Sequence, residues 1–292
     1  MNILLFSLPR RSPSAGDIRR IFDAAERHGF TCAVNEEFAA EAAALAGRTI
    51  PPERIYGAEA CVHGTEALMV SYGGDGTLLE GAHRLHGAPV PIVGINSGHL
   101  GFLTTVPTAG IGQLFDDIAA GRIRTEARTQ IEVGGDFDRT PDSPLALNEF
   151  TIQRHGAGMI SVETYVDGQM VATYHGDGVL VCTPTGSTAY SLSAGGPVVA
   201  PQCNCLVISP LAPHNLTMRP VVVPDTAEIS LHVHSRQADG FVTLDNRLYP
   251  VRDGASFTVR RSDRRIYLAV PHNISFYDTL RNKMMWGIDI RS

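Results

Sequence analysis

The run Leu68-Met69-Val70-Ser71-Tyr72-Gly73-Gly74-Asp75-Gly76-Thr77-Leu78-Leu79 sets three glycines and an aspartate between an apolar stretch and a helical pattern. Glycines at such a corner let backbone N–H groups come close to a ligand. The helix that follows adds its unpaired N-terminal N–H groups and the positive end of its dipole, which together suit a phosphate. An aspartate inside an anion cradle is electrostatically costly unless it has a task. It can accept a proton from an attacking hydroxyl, hold a divalent cation, or do both. The plain alternative is a tight turn whose carboxylate caps the helix. Neither a Walker A pattern nor G-x-G-x-x-G fits, so ordinary P-loop and dinucleotide-dehydrogenase readings lose their main support.

Three further segments add to this corner. Gly94-Ile95-Asn96-Ser97-Gly98-His99-Leu100-Gly101-Phe102-Leu103-Thr104 is a second glycine-rich loop after a strand. In a doubly wound sheet, loops at the carboxyl ends of neighbouring strands converge on one crevice. Asn148 and Glu149 follow the apolar Leu147 and offer donors and acceptors suited to ribose hydroxyls or an adenine edge. The run from Gly176 to Pro197 is a strand bracketed by hydroxyl-rich and glycine-rich loops, a polar density expected to face a ligand. Other features are set aside. His232 and His234 share one strand face without a third metal ligand nearby. Cys203-Asn204-Cys205 lacks the Cys-x-x-Cys spacing. Arg10-Arg11 reads equally as a solvated loop end or a phosphate contact.

These loops need a frame. Ile3–Phe6, Phe30–Val34, Ala67–Ser71 and Pro91–Ile95 read as buried strands. Between them lie helical patterns: one opened by Ser14 and Asp17 as a capping box and stopped at Gly29, then Glu36–Ala46, Thr77–Leu85 and Ile111–Ala120. That alternation predicts an α/β N-terminal domain with a Rossmann-like parallel sheet. From Ile123 onward, segments such as Ile160–Val166, Ile229–Val233 and Phe257–Arg260 alternate apolar and polar residues, predicting an all-β C-terminal domain built as an antiparallel sandwich. A last helix, Phe276–Trp286, is expected to return to the first domain. The expected division is 1–122, 123–270 and 271–292.

Composition narrows the function classes. The chain has 292 residues, 43% hydrophobic and 18% charged, with a formal charge of −6, which argues against bulk-charge binding of nucleic acid. No apolar run nears the ~18 residues that span a bilayer, so no membrane partner is expected. The start lacks a basic leader, and five scattered cysteines point to a reducing cytoplasm.

With the four segments in view, the chain resembles the NAD kinase family, bacterial type, over essentially its whole length. The motifs occur in that family's order: Gly-Gly-Asp-Gly, Gly-Ile-Asn-x-Gly-x-Leu-Gly-Phe-Leu-Thr, Asn-Glu, and Thr-Pro-Thr-Gly-Ser-Thr-Ala-Tyr-Ser-Leu-Ser-Ala-Gly-Gly-Pro, followed by Pro213 to Pro220. The first loop is shared with diacylglycerol kinases, sphingosine kinases and phosphofructokinases; the Thr-Pro-Thr-Gly-Ser-Thr-Ala-Tyr run with Asn-Glu is the specific part. The resemblance implies transfer of the γ-phosphoryl group of ATP to the 2′-hydroxyl of the adenosine ribose of NAD, giving NADP. It implies Asp75 as general base, with Gly73, Gly74, Gly76, Thr77 and Asn96 lining the nucleotide. It assigns NAD contacts to Asn148, Glu149, Asp177, and the loop Thr188, Ala189, Tyr190, Ser191, Leu192, Ser193. A homodimer or homotetramer is implied too.

The pattern is departed from at three places. His175 stands where the family often has Arg, the position at Gly158 lacks a basic side chain, and Asp245-Asn246-Arg247 replaces Asp-x-Gln. His175, Asn246 and Arg247 are carried as cofactor-binding candidates, while the departures leave open which groups meet the NAD pyrophosphate. Two polyanions on an acidic chain call for Mg²⁺ or Mn²⁺ bridging phosphate oxygens rather than caged by protein ligands. The alternatives weighed are a diacylglycerol-type lipid kinase, a non-catalytic NAD(P)-binding sensor and an acid-rich interaction module.

Overall fold

The computed structural model describes residues 1–9, 13–57, 67–98, 101–235 and 240–285. Arg10-Arg11, His99-Leu100 and Trp286 lie outside them. The chain separates into two compact units, Met1–Ala127 with Ile266–Ser292, and Arg128–Arg265.

The first unit alternates strand and helix: β1 (Asn2–Phe6), α1 (Ala15–Arg27), β2 (Thr31–Asn35), α2 (Glu36–Ala46), β3 (Ile55–Tyr56), β4 (Ala67–Gly73), α3 (Asp75–Arg84), β5 (Ile92–Asn96), β6 (Val106–Pro107), α4 (Ile111–Ala119) and the start of β7 (Ile123–Gly135). The sheet runs β3-β2-β1-β4-β5, every pair parallel. Strands covered on both faces must be apolar throughout, which is why β1 and β5 read as unbroken hydrophobic runs. On one face Ile3, Leu5, Val70, Val93 and Ile95 pack with Ile18, Ile21 and Phe22 of α1, Phe38 of α2 and Leu114 and Phe115 of α4.

Two local expectations change. Ser14 precedes α1 but its side chain caps nothing. Asp17 instead accepts a hydrogen bond from the buried Tyr72 hydroxyl (2.7 Å) and pairs with Arg20, a tertiary contact that outcompetes the local one. The capping box that does form lies at Ser275 and Asp278, at the head of the last helix, where each side chain accepts the other's backbone N–H. The helix after the Gly-Gly-Asp-Gly loop begins at Asp75, two residues earlier than its apolar pattern suggests, because Gly74 is extended and serves as N-cap.

The second unit continues with β8 (Leu145–Ala146), β9 (Glu149–Arg154), β10 (Ile160–Val166), β11 (Gln169–Gly176), β12 (Gly178–Cys182), a short helix α5 (Tyr190–Ser193), β13 (Cys205–Leu211), β14 (Val221–Pro224), β15 (Ile229–Ser235), β16 (Gly240–Leu244), β17 (Arg247–Val251) and the first part of β18 (Ser256–Pro271). One antiparallel layer runs β11-β10-β15-β18, the other β14-β13-β12-β9-β16-β17. Their inner faces meet in one core in which Val162, Leu231 and Phe257 oppose Phe150, Val181 and Leu206. β12 is buried on both faces. Val179 and Val181 enter that core, while Leu180 and Cys182 pack with Val207, Leu211, Ala194 and Val199. α6 (Phe276–Met284) closes the chain within the first unit, where the Phe276 ring lies 6.3 Å from that of Phe102 and Lys283 sits 4.6 Å over the Phe102 ring.

Candidate active site

In the first unit the strand order reverses between β1 and β4, the place where open α/β sheets bind ligands beyond their carboxyl ends. Gly73 ends β4 and is paired with Asn96 at the end of β5, and Ser97 N–H donates to the Gly73 carbonyl (3.1 Å). The two glycine-rich loops are thereby brought side by side. A Cβ on Gly73 would lie 2.3 Å from Thr77 Oγ1, so glycine lets the first turn of α3 fold back onto the strand.

Asp75 projects from that first turn into the second loop. Its Oδ1 accepts from Thr104 N (2.9 Å), Thr104 Oγ1 (2.8 Å) and Leu103 N (3.3 Å), and its Oδ2 accepts from Phe102 N (2.8 Å). The carboxylate thus sits among backbone amides, and those amides belong to the second loop. Oδ2 takes one donor among the described residues and keeps a lone pair for a proton or a cation. Gly101 makes the approach possible: a Cβ there would fall 1.8 Å from Asp75 Oδ1.

Asn96 fixes the loop from the other end, donating from Nδ2 to Thr104 Oγ1 (2.9 Å) and accepting at Oδ1 from Gly98 N (2.7 Å). Gly76 is exposed in the first turn and Gly74 half-buried, whereas Thr77 is buried beneath Gly73. The Thr77 and Asn96 side chains are thus engaged within the protein. Both face the protein and shape the loops.

In the second unit the Asn148–Glu149 pair enters β9 through a braced turn. Asp245 lies in the β16–β17 turn with φ 53°, a left-handed conformation that aspartate tolerates better than most residues. Its carboxylate accepts the N–H groups of Leu147 (2.9 Å), Asn148 (2.7 Å) and Glu149 (3.1 Å). From the opposite side Thr183 donates its hydroxyl to the Leu147 carbonyl (2.6 Å) and its N–H to the Asn148 carbonyl (2.9 Å).

Asn148 and Glu149 are both buried. Burial, and after it the neighbouring Asp245, raise the Glu149 carboxyl to about 8 against the pull of the Tyr190 backbone N–H. Glu149 Oε2 has no hydrogen-bond partner among the described residues. Burial likewise raises the Asp245 carboxyl, against the pull of the three N–H groups and Arg247.

Tyr190 is exposed enough to meet a ligand, and its phenol is raised by burial and by nearby Asp177 and Glu149. Asp177 pairs with Arg154 (2.5 Å). Glu149 and Asp177 both lie near enough to Tyr190 to act on its phenol, which groups hydrogen-bonding side chains suited to ribose and base atoms on this loop. Thr188, Ala189 and Leu192 are half-buried and Ser193 is exposed along this loop.

Three expectations change here. Ser191 is fully buried, with its hydroxyl toward Ser209, and supports the loop from within. Arg247 turns inward and donates to the Ser143 carbonyl (2.8 Å) and the Leu145 carbonyl, and so braces the turn. Asn246 beside it is exposed. His175 hydrogen-bonds Ser161 (Nδ1···Oγ 2.7 Å) and lines a separate open cavity of about 730 Å³ with Glu163, His234 and Asp253, away from Glu149. Sequence reasoning missed Thr104 and Thr183, and saw Asp245 only as part of a departure from a pattern. An aspartate opening a two-residue hairpin turn was the available signal for the last.

Among the described residues no three His, Cys, Asp or Glu side chains converge as a metal site, and no helix is long and apolar enough to cross a membrane.

Residues 14–123 match the ATP-NAD kinase N-terminal domain and residues 147–270 the ATP-NAD kinase C-terminal domain. An NAD kinase of Cytophaga hutchinsonii is 42% identical over 230 residues, covering 78% of this chain and 79% of its own. One of Ralstonia nicotianae is 42% identical over 223 residues, 75% and 73% of the two chains. Among solved structures, an NAD kinase from Archaeoglobus fulgidus in complex with ATP superposes with a TM-score of 0.75 over 98% of this chain and 99% of that one at 26% identity. A yeast NADH kinase complexed with NADH gives 0.86 over 100% and 89% at 22% identity, a likeness of fold. These matches lend no support to a lipid kinase or a non-catalytic sensor. With both domain matches in order along the chain and bacterial relatives near 40% identity over three quarters of it, the protein belongs to the NAD kinase family.

Proposed function

We propose that the protein transfers the γ-phosphoryl group of ATP to the 2′-hydroxyl of the adenosine ribose of NAD. The observation that carries this reading is the Asp75 carboxylate, fixed by four donors of the Phe102–Thr104 loop with a lone pair left on Oδ2. Phosphoryl transfer relies on positioning and charge neutralisation more than on proton abstraction. A carboxylate held this firmly meets the positioning requirement, accepting the hydroxyl proton late in the step at Oδ2. The N-terminal N–H groups of α3 beside it suit the phosphates. Asn148, Glu149, Asp177 and Tyr190 would take the hydroxyl- and amine-bearing nucleoside.

A divalent cation carried on the nucleotide phosphates would neutralise their charge as the γ-phosphoryl group moves. We also assign the protein to the cytoplasm, in keeping with the free thiols of Cys32, Cys182, Cys203 and Cys205. A homodimer or homotetramer fits the exposed Val222 on edge strand β14 and Leu216 before it. Incubation with NAD, ATP and Mg²⁺, following NADP, with NADH and diacylglycerol as competing acceptors, tests the reaction. Absence of NADP, or preferred phosphorylation of the lipid, would overturn it.

A further inference from the structure

The turn that carries Asn148 and Glu149 brings two carboxyl groups into one buried place with a single set of donors. All three consecutive N–H groups of Leu147, Asn148 and Glu149 point to Asp245, and Asp245 N–H returns a bond to the Glu149 carbonyl (2.9 Å). Asp245 adopts a left-handed backbone conformation to make this arrangement, which is unusual for a residue with a side chain. Glu149 accepts the Tyr190 N–H, and its Oε2 is buried without a partner among the described residues. A buried carboxylate oxygen with no donor is costly, and a buried carboxylic acid much less so.

We infer that Asp245 is the positioning residue for the Asn148–Glu149 turn, and that Glu149 meets the dinucleotide as the protonated acid, donating its hydroxyl to a ligand lone pair such as a ribose oxygen or a ring nitrogen. This rests on the NAD kinase reading above and specifies how its nucleoside pocket works. Between two adjacent carboxyls the donors decide which one keeps the negative charge. Three N–H groups, with Arg247 nearby, favour charge on Asp245. Its charge in turn favours the proton on Glu149, and with burial it raises that carboxyl to about 8. Among the described residues, no cation acts on Glu149. Cys182 of β12 is pushed up to about 12 by burial and stays a thiol, and Tyr190 is raised and stays a phenol. Asp177, which acts on Tyr190, is paired with Arg154.

A pH series of kcat/KM for NAD at saturating Mg-ATP tests this in the full chain, comparing wild type with Glu149→Gln, Glu149→Ala and Asp245→Asn. Wild type is expected to lose affinity for NAD roughly tenfold per pH step above about 8, as the acid ionises. Glu149→Gln keeps a donor, so it should stay within a few-fold of wild type at pH 6.5 and lose the alkaline fall. Asp245→Asn should raise the KM for NAD about tenfold or more with the KM for ATP unchanged, and move the fall to lower pH, because the neighbouring charge is gone. A Glu149→Gln variant as impaired as Glu149→Ala at pH 6.5 would overturn the protonated-acid assignment. An Asp245→Asn variant with unchanged KM for NAD and an unchanged alkaline limb would overturn the positioning role. If Asp245→Asn shows no cooperative melt, the Glu149→Gln profile decides. Wild type forming no NADP at all would instead strike the reaction itself, while titration calorimetry of NAD binding over the same pH series would still read the Glu149 proton.

Discussion

Replacing Gly101 by alanine probes the Asp75 assignment without touching the carboxylate chemically. The new Cβ would stand 1.8 Å from Asp75 Oδ1, 2.4 Å from its Cγ and 2.5 Å from Thr104 Oγ1, where contacts under 3.0 Å are essentially never seen. A free side chain would swing away at little cost. Asp75 is not free, because the same oxygen accepts three of the carboxylate's four hydrogen bonds. Relieving the overlap moves the carboxylate or the loop by roughly an ångström, and misplacement on that scale costs on the order of 100-fold in rate. Losing one or two charge-assisted bonds also removes about 2–5 kcal/mol of local stability. The expected result is a kcat lowered about 30- to 100-fold, a KM for NAD changed only a few-fold, and a melting temperature lower by several degrees. Steady-state kinetics of NADP formation with a thermal melt on the same preparation read all three. A Gly101→Ala enzyme with wild-type kcat and a lowered melting point would refute the claim that this loop sets the reacting carboxylate.

Asp75→Asn is expected to lower kcat at least roughly 100-fold with the fold kept. Its amide NH₂ must face one of the four donors, so the melt should fall by only a few degrees, and near-normal turnover would refute the base assignment. Activity should be lost in excess chelator and return with Mg²⁺ or Mn²⁺, followed by the same NADP assay. Stability should also depend on pH through Glu149. Its carboxyl titrates near 4.5 when unfolded and near 8 when folded, so only the folded chain holds that proton in between, and stability falls as pH rises across that window. Glu149→Gln removes the difference. The variant should melt higher than wild type at pH 8 and no higher at pH 4.5, and equal melts at both pH values would refute the buried-acid reading.

Much of the frame was legible because periodicity records burial directly. α2 spans Glu36–Ala46 as its alanine-rich pattern suggests, and β1, β4 and β5 follow apolar runs that only a strand covered on both faces requires. The Gly-Gly-Asp-Gly corner announced a strand-to-helix turn with an aspartate in it, because glycine at such a corner has few other uses. The donors that hold that aspartate were not legible. They come from Phe102, Leu103 and Thr104, 27 to 29 residues further on, and nothing in the local sequence marks a backbone N–H as a partner. The same holds for Ser14 and Asp17, whose spacing invites a capping box until Tyr72, 55 residues from Asp17, claims the carboxylate.

Residue types and spacing by themselves determined the strand-and-helix alternation, the change to antiparallel sheet, and the presence of an acid in an anion-binding corner. Only the tertiary structure decided what each candidate side chain touches within the protein. Thr77, Asn96, Ser191 and Arg247 are turned inward, His175 stands on another cavity, and Asp245 takes a place as the brace of the Asn148–Glu149 turn. The reason is that hydrophobic patterning is written along the chain, whereas a hydrogen bond's partner is set by which distant backbone the fold brings within about 3 Å.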